Sequence, residues 1–339
     1  MSILQEAIFD IVNKNIGEPV MQKVLIFDTQ SGLAQMIADA YRITLGEDVQ
    51  CYNFDQLELE NLDLRNILIQ LPAGSLVVMV QSTNFRITDF RIRVELSQHG
   101  IHCIEHNHLG YLPEEHYDTY ISSLKYRTPD YVRSTALLNE LSQDGFGLEL
   151  VDKSGLRLKF GALEKFRGNT GDYNKDTVKG GTFPIGEAFS EAKDLSQVNG
   201  SAQIFAYPDE KFQIVLCEPF ELKIVDGKVI HDTTHPTGFL RLMDMIRTHE
   251  AGEVLVRELG IGFNTEISGT APMSDVNAFE RQLGVHLSLG KKHGIFGKKL
   301  PKTELQKYHI DVFLNIDYID FSGKKVVFSK ENILEEIGE

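Results

Sequence analysis

Cysteine is scarce in this 339-residue sequence: Cys51, Cys103 and Cys217 stand far apart, and no pair reads C-x-x-C. A sparse, odd set excludes a disulfide framework and fits a reducing cytoplasm. Long apolar runs are missing too. The densest, Leu76 to Val80, is far too short to span a bilayer, so no membrane partner is expected. The start, MSILQEAIFDIVNKN, has early acidic residues and no uninterrupted apolar core, which excludes a secretory signal there. Positive charge is in deficit. A net charge of -15 repels a phosphate backbone, so no nucleic-acid partner is expected. No G-x-G-x-x-G follows a strand-like run, so no nucleotide site is claimed. Internal repeats and low-complexity tracts are absent.

What is present is a chain too long for one ordinary core, which suits two domains. The first part alternates strand-like and helical stretches. Val24 to Phe27 is an apolar run, and Ser31-Gly32 opens a helix with Leu33, Met36, Ile37 and Tyr41 on one face. Leu76 to Val80 is a second strand, Asp89 to His99 a helix closed by Gly100, and Ile101 to Ile104 a further strand. This alternation predicts a parallel α/β domain over residues 1–145. Past Gly145 strand-like runs dominate: Leu156 to Phe160, Ala202 to Ala206, Phe212 to Leu216 and Leu222 to Val225. Asp226-Gly227 between two apolar runs signals a hairpin. Helices are expected at Gly238 to Arg247 and Gly252 to Arg257. Residues 146–339 thus read as a β-rich α+β domain, and the four segments described next make it the metal-binding domain.

Four segments there carry chemistry. In a strand Tyr308-His309-Ile310-Asp311-Val312, His309 and Asp311 share a face, and an imidazole beside a carboxylate suits a divalent ion. In Gly284 to Gly290, His286 and Ser288 share a face, opposite Val285, Leu287 and Leu289. In Arg257 to Asn264, Glu258 lies on the face of Gly260 and Gly262, which leave room for close approach. In Gly180 to Glu187, a Gly- and Pro-rich loop ends on a carboxylate.

In this order GGTFPIGE, RELGIGFN, GVHLSLG and YHIDV resemble the metal-site motifs of the M29-type (aminopeptidase T/S-like) metallo-aminopeptidases. The resemblance covers roughly residues 145–330. It implies Glu187, Glu258, His286, His309 and Asp311 as ligands of two divalent ions per chain, zinc, cobalt or manganese. It also implies an enclosing homodimer and release of N-terminal residues from peptides, or hydrolysis of a small amide. Glu258 or Asp311 is the expected bridging group, and Glu187 a ligand or general base. Where the family has a catalytic tyrosine this chain has His293, and its connection from His286 to His309 is shorter. A related branch resembles ring-cleaving dioxygenases of dihydroxypyridines, with one Fe(II) on the equivalents of His286, His309 and Asp311. A third alternative is a non-catalytic descendant serving as a binding subunit.

Two further features complete the reading. His102 to His106 spells H-x-x-E-H, a zinc-protease pattern that requires a helix, whereas Gly100 and Gly110 flank a segment that reads better as a strand. Lys291, Lys292, Lys298 and Lys299 with His293 form a basic stretch in an acidic chain. With Gly290, Gly294 and Gly297 it reads as a flap that binds an anionic group of a small peptide or small-molecule substrate.

Overall fold

The computed structural model describes residues 1–17, 20–56, 61–84, 92–174, 179–292 and 307–338. His293, Lys298 and Lys299 lie outside the described residues. The chain forms two compact units, residues 1–128 with 169–185 and residues 129–168 with 186–339. Residue 145 falls within the 129–168 segment.

The first unit is a parallel sheet flanked by helices. Strands β1 (Lys23–Phe27), β2 (Gln50–Asn53), β3 (Leu76–Val80), β4 (His102–His106) and β8 (Gly180–Phe183) lie in the order β2-β1-β3-β4-β8, every pair parallel. The run Leu-Val-Val-Met-Val of β3 is buried at all its positions, as a strand covered on both faces requires. Helices α1 (Ile3–Asp10), α2 (Gly32–Leu45), α3 (Asn61–Ile69), α4 (Ile92–Gln98) and α5 (Tyr117–Ser123) belong to this unit. Ser31 caps α2 by accepting from the Ala34 N–H at 3.1 Å. Leu33, Ile37 and Tyr41 are buried as expected, but Met36 is exposed. The buried arc extends toward Ala34 and Ala38 instead, which leaves Met36 past its other edge. Residues 102–106 form a strand, which removes the zinc-protease helix. Gly180 to Phe183 is likewise a strand rather than part of a loop.

The second unit is built on antiparallel strands: β5 (Leu148–Asp152), β6 (Arg157–Phe160), β7 (Arg167–Asn169), β9 (Glu187–Ser190), β10 (Asn199–Pro208), β11 (Ile214–Val225), β12 (Lys228–Val229), β13 (Val256–Gly262), β14 (Gly284–Gly290), β15 (His309–Leu314), β16 (Ile316–Phe321), β17 (Lys324–Ser329) and β18 (Ile333–Ile337). They form one 13-stranded sheet in the order β18-β17-β16-β5-β6-β10-β15-β14-β13-β9-β7, with β11 paired to β10 and β12 to β11. Helices α6 (Thr128–Leu141), α7 (Thr237–Arg247) and α8 (Val276–Phe279) accompany them. The α/β then β-rich architecture read from the sequence is therefore the one observed. Asp226 and Gly227 turn β11 into β12 with positive φ at both residues, as a tight hairpin needs. The helix expected over 252–257 does not form: Gly252 is a left-handed turn residue, and β13 has begun by Val256. Among the described residues no helix is long and apolar enough to cross a membrane.

Candidate metal centre

Strand register decides which side chains meet. Gly262 faces Glu187 across β13–β9, and Glu258 and Gly260 face Ser288 and His286 across β13–β14. Ser288 and Gly290 in turn face Asp311 and His309 across β14–β15. Directly opposed residues project on the same side of a sheet. Glu187, Glu258, His286, Ser288, His309 and Asp311 therefore share one face. Leu259, Ile261, Val285, Leu287, Leu289, Ile310 and Val312 fill the other, each at most 1% exposed. That apolar backing holds the polar groups on a rigid platform.

Glycine makes the approach possible at two points. A Cβ on Gly260 would lie 2.0 Å from His286 Nε2, so only hydrogen leaves room for the ring. Gly186 has φ +108°, and a Cβ there would meet the Tyr131 ring at 2.8 Å. It thus fixes the turn that delivers Glu187.

Ligand atoms of Glu187, Glu258 and His286 lie within 4.8 Å of one another, and so do those of Glu280, His286 and Asp311. His286 is common to both groups and fully buried. Its Nε2 is 3.3 Å from Glu187 Oε1 but poorly aligned, and neither ring nitrogen has a hydrogen-bond partner. Glu258 Oε2 also has none. Ser288 Oγ donates to Asp311 Oδ1 at 2.5 Å and lies 3.3 Å from Glu258 Oε1. His309 stands slightly apart, with Nε2 3.8 Å from Asp311 Oδ1 and Nδ1 2.8 Å from the Lys291 carbonyl. A carbonyl only accepts, so Nδ1 carries a proton, and Nε2 is the ring atom left for a cation.

Two residues that the sequence reading missed join the cluster. Glu280 and Arg281 follow the short helix α8 and come in from outside the sheet. Arg281 is 7% exposed, and its Nη1 is 2.7 Å from Glu187 Oε2 and also against Glu280. These are charge contacts rather than aligned hydrogen bonds. The segment Asn-Ala-Phe-Glu-Arg-Gln has no metal-ligand spacing. Its only signal was an acid–base pair beside an apolar residue, Phe279, which packs on Phe313 at 4.7 Å.

The charges respond to this crowding. Burial pushes the Glu258 carboxyl well above the usual range, helped by the negative charges of Glu187 and Asp311. Glu280 is raised in the same way, with Arg281 opposing. Burial also works against ionised Glu187 and Asp311. For Glu187 the Arg281 guanidinium and His286 more than offset it, and for Asp311 the two histidines and the Ser288 hydroxyl do; both carboxyls end below their ordinary values. Burial opposes the Arg281 charge as well, and Glu187 and Glu280 outweigh it.

Of the basic stretch, Lys291 and Lys292 are among the described residues. Lys292 Nζ is 2.9 Å from Glu191, a carboxylate whose side chain is only 4% exposed, and Lys291 lends its carbonyl to His309.

The fold is shared with solved enzymes. No protein-family model matches the sequence, and no curated protein does. A 2,5-dihydroxypyridine dioxygenase from Pseudomonas putida KT2440 is similar over 97% of this chain and 97% of its own, with a TM-score of 0.62 at 15% identity. Wild-type AmpT from Thermus thermophilus is similar over 99% of this chain and 97% of its own, with a TM-score of 0.57 at 11% identity. At such identities the likeness is one of fold.

Proposed function

We propose that this chain is a metal-dependent hydrolase acting on a small peptide or other small amide, with Glu187, Glu258, His286, His309 and Asp311 holding the metal. One observation carries this reading: a fully buried imidazole, His286, has no hydrogen-bond partner and is ringed by carboxylates. An unsatisfied buried polar group is costly and calls for a missing partner. A divalent cation is the partner that an imidazole lone pair and carboxylate oxygens have in common. When bound there, zinc, cobalt or manganese supplies Lewis-acid polarisation of a scissile carbonyl.

The protein's own groups divide the remaining work. Ser288 fixes one oxygen of Asp311, and the Lys291 carbonyl fixes the His309 ring. Glu258, with a free oxygen in the cluster, would bind the cation in its ionised form. The apolar layer behind β13, β14 and β15 keeps water from the back of the site.

A second reading is a ring-cleaving dioxygenase with one Fe(II) on His286, His309 and Asp311. Its support is the higher TM-score to the dioxygenase. The number of carboxylates favours the hydrolase, because iron of that type needs only one. Metal analysis of the purified chain, with assays on aminoacyl anilides and on dihydroxypyridines under oxygen, separates the two. Iron with oxygen uptake would overturn the hydrolase. A folded chain that takes up no metal would overturn both and leave a binding subunit. The same reading carries a homodimer, and a monomer in sedimentation at micromolar concentration would count against it.

A further inference from the structure

We propose that Arg281 takes the place of a second metal ion, so that the site holds one divalent cation per chain. This rests on the metal reading above and departs from the pair of ions that the sequence motifs imply.

The two candidate ligand groups, Glu187–Glu258–His286 and Glu280–His286–Asp311, share one imidazole. A neutral imidazole has a single lone pair, since its other nitrogen carries the proton. His286 can therefore ligate only one cation, and a second would rely on Asp311, on His309 beside it and on Glu280, which lies against Arg281. Each group also contributes a carboxylate to Arg281: Glu187 Oε2 from the first at 2.7 Å, and Glu280 from the second. In the second group that leaves Asp311, which Ser288 already engages, and the contested imidazole. In the first, Glu187 still has Oε1 turned toward His286, and Glu258 still has a free oxygen.

Arg281 is also a charge that cannot be withdrawn. A guanidinium does not lose its proton in a protein, and this one is 7% exposed, so water does little to screen it. A divalent ion among Glu280, His286 and Asp311 would sit against that fixed positive charge and compete with it for Glu280. A single ion among Glu187, Glu258 and His286 faces less competition, because Arg281 uses the other oxygen of Glu187. Arg281 thus neutralises part of the acidic cluster, as a second metal would, and holds Glu187 in position for the first.

The test is stoichiometry in the full-length chain. Metal-free protein is titrated with Mn²⁺, bound metal is counted after removal of excess, and electron paramagnetic resonance distinguishes an isolated ion from a spin-coupled pair. Wild type is expected to bind one equivalent with an uncoupled signal. Arg281→Met, which keeps the bulk and removes the charge, is expected to bind two with a coupled signal. Arg281→Lys is expected to stay at one, and circular dichroism checks the fold of each variant. Two equivalents in wild type would overturn the role of Arg281 and leave the metal reading intact. No metal in folded wild type would overturn both. One equivalent in folded Arg281→Met would also refute the proposal, because another group would then set the limit. Should Arg281→Met fail to fold, the wild-type count and coupling decide.

Discussion

His106 closes β4, is fully buried, and sits in a hydrogen-bond chain that fixes its protonation. The Tyr120 hydroxyl donates its proton to the Phe183 carbonyl at 3.2 Å, so toward His106 Nδ1, 2.9 Å away, it accepts. Nδ1 therefore carries the ring proton, and Nε2 accepts from the Tyr41 hydroxyl at 2.8 Å. The neutral ring is fully satisfied, and burial lowers its pKa to about 3. In the unfolded chain a histidine titrates near 6.5 (about that of a model peptide). Below that pH the unfolded chain takes up a proton that the native state refuses until about pH 3. The contribution to stability is thus complete above the unfolded pKa and is lost as pH falls through the interval. The slope is about 1.4 kcal/mol per pH unit, giving a loss of about 2 kcal/mol between pH 7 and pH 5 and on the order of 5 kcal/mol over the whole interval. His106→Gln removes the titration and keeps an amide to meet the tyrosines. Its cost at pH 7 is expected to be about 1–3 kcal/mol. Urea unfolding at both pH values reads the difference, using the transition that the substitution shifts at pH 7. Other titrating groups cancel between the two proteins. Wild type should lose about 2 kcal/mol more than His106→Gln on acidification, in keeping with the linkage slope. Parallel losses would refute the assignment of a neutral, proton-refusing ring.

If all five residues hold the metal, His309→Ala and Asp311→Ala each sharply lower bound metal with little change in urea midpoint; full occupancy in either folded variant removes that residue from the site, as a single ion among Glu187, Glu258 and His286 requires. Gly260→Ala forces a Cβ to 2.0 Å from His286 Nε2. It is expected to cost about 1–3 kcal/mol and reduce metal uptake, both read from one preparation by denaturation and metal analysis. Lys292→Ala removes the ammonium beside buried Glu191. A partly exposed pair of this kind should cost about 1–2 kcal/mol, seen as a lower thermal midpoint. If the lysine instead serves substrate alone, the midpoint will not move and KM will rise.

Much of the platform was legible because strand periodicity is local. His286 with Ser288, and His309 with Asp311, each follow from alternation within one strand, and the backing apolar residues mark which face is which. Glu258 could be placed with Gly260 and Gly262 for the same reason. Glu280 and Arg281 were not legible. Their burial depends on the end of α8 being carried against β9 and β14, partners far away in sequence, and a Glu-Arg pair after an apolar residue looks like any solvated helix surface. The segment leading to Glu187 was misread as a loop because its glycines and proline carry turn signals. Gly180 is instead required by the neighbouring strand, since a Cβ there would lie 1.9 Å from the Cys103 carbonyl oxygen. Met36 was misplaced for a smaller reason: helical spacing fixes an arc of side chains, and only packing decides which edge of the arc is covered.

The parallel sheet takes its last strand late. β8 joins β4 only once residues 180–183 have been synthesised, while β1 to β4 are complete by residue 106. On the ribosome, the backbone groups of β4 that will bond β8 must wait for more than seventy further residues to be added, on the order of several seconds at ordinary elongation rates. During that interval the strand Cys103-Ile104 presents an open, apolar edge, a template for pairing with other nascent chains. Slowed translation between β4 and β8 should therefore raise aggregation of this protein, whereas slowing after residue 183 should have less effect.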